Sequence, residues 1–252
     1  IGYQYLNSSI QYIKRYDTFY SFAPDTAQFI FLTKNRLDLQ TDSRHRLHIE
    51  AKRSASAGLR LGYTSHVSKN LQISGFLSLL KPSDLLLGTL DGSAISRAEN
   101  DYDFSFSSDL SFDDDPLYER DSQSISGSGY AVDLLLHYQL NLNWDIHLKL
   151  LDLLSQLSFD NSPFTHADAT SAVKRFDEQG FVIYDPVITG RESFKSLDTR
   201  FNRQTHLSLG YRLNDKNHLN LSYHEYRKLE YSEFIWQQIF SEYQLNWHLI
   251  PQ

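Results

Sequence analysis

Cysteine and methionine are both absent from the 252 residues. Without thiols the chain can form no disulfide and no thiolate metal site. That leaves its redox compartment open, since an oxidising envelope suits such a chain as well as a reducing interior. Long apolar runs are missing too. Stretches such as Leu85-Leu86-Leu87 last only a few residues, whereas a spanning helix needs roughly 18–20. There is no basic surplus: the net charge is -7, with no Lys/Arg cluster, which argues against a nucleic-acid partner. The chain opens on Ile1 with no initiator Met and no signal peptide, as expected if a leader has been removed.

Aromatic residues are plentiful, with 16 Tyr, 16 Phe and 3 Trp. Flat, stiff side chains favour strands, where they pack well on a pleated surface. From His206 to Tyr226 the chain reads HLSLGYRLNDKNHLNLSYHEY. Leu207, Leu209, Tyr211 and Leu213 take every second position; after the polar stretch 214–217, alternation resumes at Leu219, Leu221 and Tyr223. Two alternating runs about a short Asn/Asp-rich connection predict an antiparallel hairpin.

The pattern recurs along the chain. Leu59, Leu61 and Tyr63 lead to a hinge at 67–70, followed by Leu71, Ile73, Leu77 and Leu79. Val132, Leu134, Leu136 and Tyr138 lead to a hinge at 141–143, followed by Trp144, Ile146, Leu148 and Leu150. Tyr102, Phe104, Phe106, Leu110 and Phe112 form another run, and Tyr243, Leu245, Trp247 and Leu249 a last one. These runs last about nine to eleven residues, against about five or six for ordinary strands. The hinges near 68, 142 and 215 are evenly spaced, and long polar segments at 81–128, 155–203 and 225–236 separate them as expected loops. Residues 1–27 read as irregular. The whole of 1–252 is expected to form one domain.

A soluble sandwich also alternates, because one face meets its core and the other meets water. Long strands, long loops on one side only, and aromatics such as Tyr63, Tyr138, Trp144, Tyr211 and Tyr223 near strand ends point instead to lipid. Together these hairpins resemble those of Gram-negative outer-membrane β-barrel proteins as a broad class, over about residues 28–249. The resemblance implies an all-β, antiparallel transmembrane β-barrel of roughly ten to twelve strands, with short turns at one end and long loops at the other. It also implies an outer-membrane location and contact with membrane lipid and lipopolysaccharide. Such proteins commonly end in an alternating strand whose last residue is aromatic. This chain ends Ile250-Pro251-Gln252, so either Leu249 is not on the closing strand or the native chain continues.

With the apolar parity toward lipid, Arg60, Asp133, His137, Asp145, His147, Lys149, His206, Arg212, His224 and His248 are expected to line the lumen, together with His48, His66 and His218. The shared parity of the histidines follows from exclusion of imidazole from a lipid face, and none has the spacing of a helical metal motif. Ser222 and His224, and likewise Asp145 and His147, share one face of one strand. Alternate strand residues are expected to sit too far apart for direct contact, so no catalytic residue is assigned. Asp113-Asp114-Asp115, with Glu119 and Asp121, offers oxygen ligands suited to calcium or magnesium but lacks calcium-loop spacing; a solvated turn is the plainer reading, and no cofactor is expected. Phe176 to Tyr184 suggests a small hairpin turned at 177–180. Three functions remain: a non-enzymatic pore or transport barrel, an anchor for envelope protein partners, and a barrel hydrolase.

Overall fold

The computed structural model describes residues 2–250 apart from 6, 99–100, 114–124, 228 and 241–242. The chain is antiparallel all-β with one short helix. In order these are β1 (Gly2–Tyr5), β2 (Ser8–Phe22), α1 (Pro24–Lys34), β3 (Arg44–His66), β4 (Leu71–Ala98), β5 (Asp101–Phe112) and β6 (Ser126–Gln139). They continue as β7 (Trp144–Phe176), β8 (Val182–Thr199), β9 (Gln204–Asn214), β10 (Asn217–Tyr226), β11 (Leu229–Ile239) and β12 (Gln244–Leu249).

The twelve strands described join one antiparallel sheet that runs in chain order, two of its lanes each shared by two strands. β5 and β6 run end to end between β4 and β7, pairing with the far and near parts of those two long strands. β8 and β9 share the next lane in the same way. Among the described residues no ladder joins the edge strands β1 and β12. No helix there is long and apolar enough to cross a membrane.

The three hinges are tight connections at one end of the sheet. At 67–70 the amide of Val67 donates to the carbonyl of Leu71, and at 140–143 Leu140 donates to Trp144. Asn side chains complete two of them: Asn141 Oδ1 accepts from the amides of Asn143 and Trp144, and Asn214 Oδ1 from that of Lys216. Asn suits such turns because its side chain bonds the backbone two residues on.

The expected loops are mostly strand. β4 runs 28 residues and β7 runs 33, so 81–98 and 155–176 are arms of the sheet. β10 and β11 likewise take up most of 225–236. The N-terminal stretch read as irregular contains β2, fifteen residues of unbroken alternation. The reason is phase. A register shift between Ala55 and Ser56 opposite 82–84, and another between Phe159 and Ser162 with Asn161 at positive φ, mark bulges where the alternation slips by one, while the bulge at Asp152 inserts two residues and breaks the alternation only locally. A one-residue bulge flips which residues face which side without ending the strand. The turn expected at 177–180 is present, with Gly180 at φ 84 and its amide donating to Asp177, but it closes the β7–β8 pair rather than a small hairpin.

Following the registers gives the sheet two consistent faces. One carries Ile13, Arg15, Asp17 and Phe19 on β2, Arg60 on β3, Ser78 on β4 and Asp133 on β6. This face is concave, because strands four lanes apart touch across it: Arg15 on β2 reaches Asp152 on β7 at 2.6 and 2.8 Å. Arg227, after β10, likewise reaches Glu50 on β3 at 3.2 Å and lies over the Phe19 ring.

Two apolar clusters hold the sheet. One fills the concave side at mid-height: Leu80, Leu85, Ala131, Leu157, Phe159 and Phe201, with Ile13, Leu87 and Leu197 against them. The other lies on the opposite face of the arms, where Phe29 of α1 and Leu39 cover Leu47 and Ala94. Phe29 meets Tyr102 edge-on at 4.9 Å.

Candidate functional site

The convex face is an apolar belt in ladder register. Tyr12, Leu59, Leu79 and Tyr130 form one rung, and Leu71, Tyr138, Ile146, Leu209, Leu221, Phe234 and Leu249 another. Many of these side chains are exposed, with Leu221 at 53% and Leu249 at 65%. Next to the hinges, Trp144, Tyr211, Leu219, Trp236 and Trp247 make a single rung, so all three tryptophans of the chain stand at the hinge end of the belt. Trp144 and Tyr211 are in ring contact at 4.4 Å. A contiguous exposed apolar surface of this extent is not what water tolerates on a monomer.

All ten residues expected inside lie on the concave face by register, but in two groups. Arg60 and Asp133 sit at mid-height, joined at 2.7 Å. Asp133 also accepts from the amide of Asp152 at 2.9 Å, and Asp152 takes both guanidinium nitrogens of Arg15. Arg15 in turn lies 3.8 Å over the Phe201 ring. This chain of paired charges rests against the mid-height apolar cluster through the Arg15–Phe201 contact.

The other eight, His137, Asp145, His147, Lys149, His206, Arg212, His224 and His248, line the half nearer the hinges. Here an open cavity of about 500 Å³ is bordered by Asp145, His206, Arg212, His224 and His248, together with His218 and Glu233. Imidazoles stack in pairs: His137 on His147 at 4.2 Å, His206 on His224 at 4.3 Å, and His224 on Tyr231 at 4.6 Å. Carboxylates accompany them, Glu233 at 2.5 Å from His248 and Asp145 at 2.9 Å from His147. The last contact corrects the expectation that alternate strand residues stay apart. Their Cα atoms are nearly 7 Å apart, and the length of an imidazole closes the gap. Ser222 instead donates to Asn220 at 2.6 Å and makes no bond to His224.

Beyond the mid-height layer, the arms carry further pairs on the concave face. His48 meets Asp91 at 2.5 Å, and His166 lies 2.8 Å from Asp109 and 3.5 Å from Asp168. The hydrogen bond to Asp109 holds the His166 imidazole above its ordinary pKa. Asp103, bonded by Lys174 and Arg97, falls to about 2.

Sequence reasoning missed Arg15, Asp152, Phe201, Asp109 and His166. Arg15 was legible, since Tyr12, Tyr16, Tyr20 and Phe22 alternate around it; Asp152 was not, because it sits on a bulge. Asp114 and Asp115 lie outside the described residues. Asp113 faces Arg53 at 3.9 Å, and burial raises its carboxyl above the usual range. A serine and a histidine do meet at Ser43 and His45, 3.0 Å apart, but His45 is buried under the Phe29 ring, where no substrate reaches it.

Comparison with family models, with curated proteins and with solved structures finds no match for this chain.

Proposed function

We propose that the protein is a transmembrane β-barrel of the bacterial outer-membrane type whose interior is closed at mid-height, and that it anchors an envelope protein assembly. The lipid placement is supported by the registered apolar belt and its single tryptophan rung, since aromatics favour the membrane interface. Membrane lipid and lipopolysaccharide then cover the convex face, and the histidine-lined cavity opens at one mouth.

One observation carries the choice of anchor over open pore. Leu80, Leu85, Ala131, Leu157 and Phe159 close the centre from the strands themselves, backed by the Arg60–Asp133 and Arg15–Asp152 pairs. A continuous water path would have to cross that layer. The pore reading keeps one support: Phe201 of the same cluster lies on the break between β8 and β9 and not on a strand, so it is the member able to swing aside.

Planar-bilayer recording tests the two. The anchor reading expects no conductance from folded wild-type protein or from Phe201→Ala, together with a stoichiometric protein partner on mild extraction from its native membrane. Steady conductance by the wild type, raised by Phe201→Ala, would establish the pore instead.

A further inference from the structure

We propose that His137, His147 and Asp145 form a binding site for a divalent transition-metal ion of the zinc type on the concave face. His137 and His147 are direct cross-strand partners on β6 and β7, and their rings lie parallel, 3° apart in plane and 4.2 Å between centroids. Asp145 stands two residues before His147 on the same face, with Oδ2 2.9 Å from His147 Nε2. One donor atom from each of the three lies within 4.8 Å of the others.

Zinc takes imidazole nitrogen at about 2.0–2.1 Å and carboxylate oxygen at about 2.0–2.2 Å, so neighbouring ligands of a tetrahedral ion stand roughly 3.3 Å apart. The Asp145–His147 separation is already close to that edge, and His137 needs only side-chain rotation to join. Two imidazoles and one carboxylate leave a fourth position for water, the pattern of open zinc sites. Hard cations such as magnesium and calcium prefer all-oxygen shells.

A second observation is independent of the ligands. Gly210 on β9 faces Asp145 across the ladder, and a Cβ there would lie 2.6 and 2.8 Å from the two carboxylate oxygens. The carboxylate occupies room that any other residue would take, so Gly210 makes the place where Asp145 meets the histidines. The site is also reachable: the His147 and Asp145 side chains are 40% and 37% exposed, and Asp145 borders the open cavity. Nothing in this depends on the membrane placement, because the three ligands face the concave side whether lipid or water lies outside.

Calorimetric titration of the folded, detergent-solubilised full chain with zinc alone is the test. One ion per chain is expected, with His137→Ala and Asp145→Asn each weakening binding by about tenfold or more. Gly210→Ala, which removes no donor, should weaken it as well, while His248→Ala in the same cavity should leave it unchanged. Should any variant fail to fold, the wild type still decides: cobalt must give the visible absorption of an ordered nitrogen/oxygen site, displaced by zinc. Absence of zinc binding in the millimolar range, or equal binding by wild type, His137→Ala and Asp145→Asn, would overturn the proposal.

Discussion

Asp152 joins β7 to β2 and β6 at the centre of the concave face. Its backbone sits at φ 56, a left-handed conformation that Asp and Asn tolerate better than most residues. That turn aims its carboxylate at Arg15 on β2 and its amide at Asp133 on β6. The Asp152 side chain is 2% exposed and that of Arg15 is 21% exposed. Asp152→Ala therefore leaves a half-buried guanidinium with only the longer ionic contact to Asp17 at 3.6 Å. The expected loss is about 3 kcal/mol, at the low end for a broken buried pair because Arg15 keeps some water. Adding Arg15→Met should recover part of it, since removing both charges of a buried pair is often nearly neutral. Urea unfolding of the single and double variants checks this; additive losses would mean the pair does not couple.

His166 reports the arms in the same way. Its folded pKa is raised by the bond to Asp109, so the contact stabilises below the ordinary histidine value and is lost as pH rises through the raised one. Titration by NMR should place His166 above the usual range in the wild type, and Asp109→Asn should lower it, with Asp168 at 3.5 Å keeping part of the shift. An unshifted wild-type titration would deny the contact.

The long strands owe their length to bulges, and these also set what could be read in advance. Where alternation held, as at 59–66, 71–80, 132–139 and 207–213, strand, face and hinge were all legible. Beyond 81 and beyond 151 the alternation is broken at Asp152 and slips by one at 82–84 and near Asn161, and such an interrupted strand looks like a polar loop. β2 was hidden differently: Lys14, Arg15, Asp17 and Thr18 mask a pattern that its tyrosines carry alone. Cross-sheet partners such as Arg15 and Asp152 are 137 residues apart, and one sequence holds no sign of that pairing.

Helix α1 illustrates an element held by its neighbours. Its apolar anchor is Phe29, 7% exposed, packed on Leu47, Ala94 and Tyr102, beside Thr26, whose hydroxyl bonds the backbone of Arg46 and His48. A Phe→Ala change in such a cluster costs about 3–5 kcal/mol when the loss is global. Here the helix lies over the arms and not within the belt, so Phe29→Ala is expected to loosen 24–43 locally. Hydrogen exchange should quicken there and stay unchanged at 59–66 and 207–213. Faster exchange throughout would mean that α1 supports the whole sheet.

The molecule as a whole sets an apolar convex face against a largely polar concave one, with an apolar cluster and paired charges at the concave centre. A sheet in water would invert that order and keep its apolar side within. The exposed belt, from Tyr12 on β2 to Leu249 on β12, is therefore the feature that any account must place, and lipid is the placement proposed above. The interior then divides into a histidine-lined mouth, a middle of apolar and paired groups, and charged arms. Each part has its own chemistry, and the membrane reading governs only what lies outside them.

The tryptophan rung makes that placement measurable. Trp144, Trp236 and Trp247 are the only tryptophans in the chain and share one rung beside the hinges, so their fluorescence reports the depth of that end of the belt. Folded protein in vesicles containing phospholipids brominated at different acyl positions gives that depth directly. Bromines near the headgroup should quench the emission strongly and bromines near the bilayer centre weakly, as for side chains at the interface. Emission that no brominated lipid quenches, from protein with intact β-structure, would contradict the lipid-facing belt.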